Sequence, residues 1–161
     1  TILGLIAGLY IPSSGTSEVF SNNIGYVGVT PLVFEGSIKE NLLYGNNKNI
    51  SDSDLIEMLK EFNFFNNDEI KLNKNVNNKS LSSGQLQKVS FMRSLLNDCD
   101  ILLLDESTSN IDDQSKELIF NILKNKKITI INATHNHKEF NYDVHLRLSI
   151  QDNQRIISKQ S

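Results

Sequence analysis

An α/β fold with a mostly parallel sheet is predicted by three features of the sequence. Two short apolar runs, residues 101–104 and 128–131, have the length and continuity of strands buried on both faces. Amphipathic stripes at helical spacing lie beside them: Leu86, Val89, Met92, Leu95 and Leu96 before the first run, and Leu118, Ile119, Ile122 and Leu123 between the two. Asparagine pairs separate the segments, as turn-forming residues do. Alternation of buried strand and amphipathic helix is the pattern of parallel α/β units.

The elements follow in order. Ile2, Leu5, Ile6 and Leu9 recur at i, i+3, i+4 and i+7 and predict a helix whose stripe is buried, stopped by Pro12 and Gly15. Residues 18–20 and 24–29 read as two extended runs separated by Ser21-Asn22-Asn23. Ser37-x-x-Glu40 is a capping box that opens a helix through Leu42 and Leu43. Ser51-x-x-Asp54 opens another, with Leu55, Ile56, Leu59 and Phe62 on one face. Residues 63–80 are polar and poorly periodic. A helix then starts near Ser83-Gly84, the strand 101–104 follows, and after the next helix and strand residues 144–157 alternate around Asp152-Asn153 as a hairpin. A mainly helical stretch, about 38–98, thus interrupts the sheet.

Composition narrows the function classes. A chain of 161 residues suffices for one domain with a hydrophobic core. Sixteen Lys+Arg against 19 Asp+Glu give a net charge of −3, no electrostatic footprint for nucleic acid or an anionic bilayer. The longest mainly apolar stretch, residues 1–11, is far short of the roughly 20 residues that span a bilayer, and no basic segment precedes it as in a signal peptide. Cys99 is the single cysteine, so an internal disulfide and a cysteine-caged zinc are excluded. His135, His137 and His145 form no persuasive metal set. A soluble, cytosolic domain is expected.

Three segments carry chemistry. Asp105 and Glu106 end the apolar run 101–104, and the carboxyl end of a buried parallel strand is where α/β folds bind ligands. In a nucleotide hydrolase the first acid holds Mg²⁺ and the second polarises the attacking water; two solvated acids closing a core strand would look the same. Leu81-Ser-Ser-Gly-Gln85 immediately precedes a helix, whose N–H groups and dipole attract an anion. Taken singly, a serine there is explained by N-capping. His135 follows the second apolar run after three residues, at the same end of the predicted sheet.

Taken together and in this order, Leu81-Ser-Ser-Gly-Gln85, a helix, Ile101-Leu-Leu-Leu-Asp105-Glu106, Ser107-Thr-Ser-Asn-Ile-Asp112 and Thr134-His135 resemble the nucleotide-binding domain of ABC ATPases, the exporter branch in particular. Residues 81–85 match the signature motif with Ser83 in place of one glycine, 101–106 the Walker B strand, 109–112 the D-loop, and His135 the switch histidine. The resemblance covers essentially the whole chain, and its closing hairpin is matched by 150–156. It implies a P-loop NTPase-like, mostly parallel sheet flanked by helices, with an inserted α-helical subdomain. The RecA-like ATP-binding core would comprise residues 1–37 and 99–161, and the helical signature subdomain 38–98. It also places Thr1 directly after the phosphate-binding loop, so that the P-loop and its strand are expected upstream of this sequence.

By the same resemblance the cofactors are ATP and Mg²⁺. Asp105 would hold Mg²⁺, Glu106 would be the general base, and His135 would contact the γ-phosphate and the attacking water. Thr1, Ser82, Ser83, Gly84, Gln85, Ser109 and Asp112 would contribute to nucleotide binding, the signature residues acting on the ATP held by a second nucleotide-binding domain in a head-to-tail dimer. A transmembrane domain would dock near Phe34 and Tyr44, placing the domain at the cytoplasmic side of a membrane; no nucleic-acid partner is implied. Two departures stand out. Val29 occupies the place of the metal-contacting Q-loop glutamine, with Thr30 beside it as a polar substitute, and residues 15–24 are shorter than in exporters, so a trimmed antiparallel edge is expected. The competing readings are a degenerate domain with a regulatory role in nucleotide-gated dimerisation, and a soluble ABC ATPase acting on DNA or ribosomes. The latter would need a basic surface or a coiled-coil insertion, and the sequence has neither.

Overall fold

The computed structural model describes residues 2–66, 68–136, 138, 140–151 and 154–160. Thr1, His137 and the hairpin turn Asp152-Asn153 lie outside the described residues. In chain order the elements are α1 (Ile2–Ile6), β1 (Ile24–Val27), β2 (Gly36–Ser37), α2 (Ile38–Leu43), α3 (Asp52–Glu61), β3 (Asn75–Val76), α4 (Ser83–Leu96), β4 (Ile101–Asp105), α5 (Asp113–Lys124), β5 (Thr129–Ala133), β6 (His145–Gln151) and β7 (Gln154–Gln160). The strands β1, β4 and β5 form a parallel three-stranded sheet with β4 at its centre. Helices flank it, which makes the fold α/β.

The central strand is central because of its sequence. Leu102, Leu103 and Leu104 are each 0 % exposed, and a strand covered on both faces needs an unbroken apolar run. Each buried leucine contributes on the order of 1.5–3 kcal/mol of transfer free energy. Val27 of β1 and Val89, Phe91 and Met92 of α4 join the same core, as do Ile119, Ile122 and Leu123 of α5. Both expected capping boxes form: Ser37 Oγ accepts from the Glu40 N–H, and Ser51 Oγ from that of Asp54, with each acid reaching back to the cap. Ser82 caps α4 in the same way through Gln85.

Several expectations need correction. Helix α1 stops at Ile6, and its buried residues are Leu3 and Gly4, not the predicted stripe; Leu9 is exposed. The cause is Gly8, whose φ of +72° turns the chain out of the helix. Residues 18–20 form no strand, and Phe20 is exposed. The second apolar run forms β5 one residue later than expected and only half-buried, because among the described strands it pairs on one side alone, with β4. Within the aperiodic stretch 63–80, β3 pairs antiparallel with β2, a two-residue ladder too short to leave a periodic signal. The hairpin β6–β7 pairs antiparallel as expected, with Leu148 opposite Ile157. No helix among the described residues is long and apolar enough to cross a membrane.

Candidate functional site

Asp105 and Glu106 stand where β4 leaves the sheet, and three other elements hold them. The register pairs Asp105 with Ala133 on β5. The Glu106 N–H then donates to the Ala133 carbonyl at 2.9 Å, so the strand end is pinned across the ladder. At Glu106 the backbone turns into the left-handed region, with φ +47°. Among the described residues the other non-glycine residues there are Asn63, Asn66 and Asp98, types that tolerate it. Glutamate does not, and such a conformation costs about 1–2 kcal/mol. Strain retained at a carboxylate beside a strand end is typical of a site where position matters more than stability.

The side chains converge with the backbone. His135 Nε2 lies 2.9 Å from Glu106 Oε1; the histidine side chain is 92 % exposed and the glutamate 41 %. Sequence order alone suggested their proximity, and the structure brings them into contact. The Tyr26 hydroxyl, at the end of β1, donates to Asp105 Oδ2 at 2.7 Å. That hydrogen bond, with burial and the aspartate's charge behind it, pushes the Tyr26 phenol up to about 12, so it remains a donor at any neutral pH. Tyr26 was not singled out from the sequence; its signal was the alternation of β1, which buries Gly25 and Val27 and turns Tyr26 to the other face.

The signature segment is built differently. Ser82 is the N-cap of α4: its Oγ accepts from the Gln85 N–H at 3.2 Å, and its own N–H donates to Gln85 Oε1 at 3.0 Å. Gln85 Nε2 donates to the Phe64 carbonyl, which anchors the turn to the preceding loop. Ser83 and Gly84 are the first residues of the helix, so their N–H groups are among those an α-helix leaves without an internal partner. A side chain at Gly84 would meet Asp112, Ile111 and Ser115 at ordinary contact distances, 3.8–3.9 Å, so the start of α4 lies beside the start of α5. Asp112 caps α5 by accepting from the Ser115 N–H at 2.8 Å, and this bond holds its carboxyl below the usual range. The Ser109 N–H donates to the Glu106 carbonyl, folding the turn that joins the two groups.

Helix α4 is also buried further round than an amphipathic stripe requires. Gln87 is 1 % exposed, and its Nε2 donates to the carbonyls of Gly28 (3.1 Å) and Val29 (3.3 Å). Gln87 too escaped the sequence reading, which tracked apolar spacing and passed over polar residues on the same face. Val29 itself presents an exposed apolar side chain where a polar one was expected.

The donors suit a hard divalent ion. Asp105 and Glu106 offer carboxylate oxygens, with Tyr26 occupying one oxygen of Asp105, and Mg²⁺ typically takes only one or two carboxylates when phosphate and water supply the rest. Among the described residues no group of three or more His, Cys, Asp or Glu could hold a metal ion.

Comparison with known proteins bears on the family. Residues 1–109 match the sequence profile of the ABC transporter family. The ATP-dependent permease MDL1 of Candida albicans is 32 % identical over 157 residues, covering 84 % of this chain and 23 % of that protein. The sublancin-168-processing and transport ATP-binding protein SunT of Bacillus subtilis is 34 % identical over 143 residues, covering 86 % of this chain and 20 % of its own. The mesentericin-Y105 transport/processing ATP-binding protein MesD of Leuconostoc mesenteroides is 31 % identical over 153 residues, 84 % of this chain and 21 % of its own. The chain thus spans about a fifth of the length of the curated relatives it matches. With the profile, these relatives and the α/β sheet in agreement, the chain belongs to the ABC transporter family and is ATP-binding-domain sequence related to its exporter-type members.

Proposed function

We propose that this chain is the ATP-hydrolysing motor of an exporter, coupling ATP turnover to movement of a substrate through a transmembrane partner. The observation that carries this reading is the contact between Glu106 and His135 at the end of the central strand, 2.9 Å apart and open to solvent. Glu106, held by the Ala133 carbonyl, takes the proton of the attacking water, and His135 keeps that carboxylate oriented and reaches the γ-phosphate. Asp105, which accepts from the Tyr26 hydroxyl, would hold Mg²⁺. Mg²⁺, when bound, neutralises charge on the phosphate oxygens.

An open pair of this kind becomes effective only when covered, since electrostatic stabilisation grows as water is excluded. A second nucleotide-binding domain, packed head to tail, would supply the cover: its Ser82, Ser83, Gly84 and Gln85 present the start of α4 to the phosphate, while Ser109 and Asp112 lie at the joint between the two groups. In this reading residues 1–37 and 99–161 are the RecA-like core and 38–98 the inserted helical subdomain. Exposed Leu32 and Tyr44, with Phe34 packed against Tyr44 at 5.2 Å, offer an apolar docking place for a transmembrane domain on the cytoplasmic side of a membrane.

One observation favours a second reading. Val29 cannot coordinate a metal or pass on a polar signal, which suits a regulatory domain that binds nucleotide and dimerises without turnover. A single experiment separates the two. The native protein carrying this sequence should hydrolyse Mg-ATP, and Glu106→Gln should lower turnover by about 10²–10⁴-fold while prolonging the ATP-bound dimer. Turnover unchanged by the substitution would remove Glu106 from the mechanism, and tight ATP binding without any turnover would establish the regulatory reading.

A further inference from the structure

The segment 26–29 is gripped from two sides. From α4, Gln87 spends both amide hydrogens on the carbonyls of Gly28 and Val29. From the sheet, the Tyr26 ring lies so close over Gly28 that a Cβ there would be 3.1 Å from Tyr26 Cε1, and the Tyr26 hydroxyl ends on Asp105. A continuous chain of contacts therefore runs from the signature helix, through the main chain of residues 28 and 29, to the first acid of β4.

The amide of Gln87 is half satisfied: its Nε2 donates to the Gly28 and Val29 carbonyls, while its Oε1 is buried without a partner. An apolar residue of equal size would remove the orphaned oxygen only by leaving those two carbonyls without their donor. The donor half is what the position retains, and that half faces only the two carbonyls. Side-chain identity at Val29 plays no part in this linkage, since both contacts are to main chain.

Resting on the function proposed above, we propose that Gln87 and Tyr26 are positioning residues that couple the start of α4 to Asp105 through the main chain of residues 28 and 29, in place of a polar side chain at Val29. Physical contiguity is a warrant for coupling only when perturbing either end is shown to act on the other.

The test uses the native protein carrying this sequence, with Gln87→Met, Tyr26→Phe and their double variant, and Glu106→Gln as control. Methionine keeps the volume of Gln87 and phenylalanine keeps the ring of Tyr26. Each single variant should lower kcat about tenfold, as loss of an outer partner of a metal ligand does, with KM for ATP within about twofold. The double variant should cost no more than the worse single one, because both cut one linkage. Hydrogen exchange in Gln87→Met should quicken at residues 26–31 and 105–107 alone, and Mn²⁺ binding in Tyr26→Phe, followed by its paramagnetic resonance, should weaken about 10-fold.

Unchanged kcat in both single variants, or additive losses with exchange quickened throughout the chain, would overturn the linkage. If Gln87→Met does not fold, Tyr26→Phe decides alone by its Mn²⁺ affinity. The control keeps two failures apart: turnover lost in Glu106→Gln but intact in the Gln87 and Tyr26 variants rejects only the linkage, whereas turnover intact in Glu106→Gln rejects the function on which it rests.

Discussion

The two ends of the candidate site are organised by opposite means. At the start of α4, Ser82 and Gln85 satisfy each other across three residues, and only the Gln85 amide reaches further, to Phe64. At the end of β4, Asp105 and Glu106 are held by Tyr26, Ala133 and His135, partners 27 to 79 residues away in sequence. The first end is a local motif that would form wherever a helix begins. The second exists only once the sheet has assembled. A short-range device that stabilises itself thus stands beside a long-range device that carries strain.

That contrast is sharpened by removing the local motif. Ser82→Ala deletes the cap and leaves the Gln85 backbone N–H without its acceptor; the fold should lose about 1 kcal/mol, within the range of about 0.5–2 kcal/mol for helix caps. Urea unfolding of the protein and its variant checks this, and an unchanged midpoint would mean that the Gln85–Phe64 bond alone fixes the turn. The opposite sign is expected at the other end. Glu106→Gly relieves the left-handed backbone, worth about 1–2 kcal/mol, and returns about 0.5–1 kcal/mol through the freedom of the unfolded glycine. The variant should be more stable by roughly 0.5–1 kcal/mol and devoid of ATP turnover. A loss of stability instead would show that the Glu106–His135 contact outweighs the strain.

The same division explains what could be read from the sequence. The capping residues Ser37, Ser51 and Ser82 were legible because a cap and its partner lie three residues apart. The central strand was legible because burial on both faces demands the run at 101–104. Proximity of Glu106 to His135 followed from two strands ending on the same side of a parallel sheet. Tyr26 and Gln87 were not legible: their partners lie on other elements, at Asp105 and at the carbonyls of residues 28 and 29, and a main-chain acceptor leaves no residue type to recognise. The predicted stripe of α1 failed for another reason: Gly8, at φ +72°, turns the chain out of the helix before the stripe is complete.

The smallest expected effect lies at the joint between the two ends and depends on pH. The Ser115 N–H holds the Asp112 carboxyl below its ordinary value of 3.8, with the Lys88 charge a lesser contributor. The folded protein therefore binds this proton less readily than the unfolded chain. The stability so gained is complete above about 3.8, the unfolded value, and is lost as pH falls through the depressed folded value. Asp112→Asn keeps the cap, because asparagine accepts from the helix start about as well as aspartate, but removes the titration. Urea midpoints of the native protein should fall more steeply than those of the variant as pH drops below about 4, the two curves converging at the acid end. Parallel curves across that range would place the acid sensitivity elsewhere. Lys88 provides the complementary reading at alkaline pH: burial lowers its pKa, and the Asp112 charge is what opposes that shift. Asp112→Asn should therefore move the Lys88 titration lower still, a change that a cap acting only through its hydrogen bond would not produce.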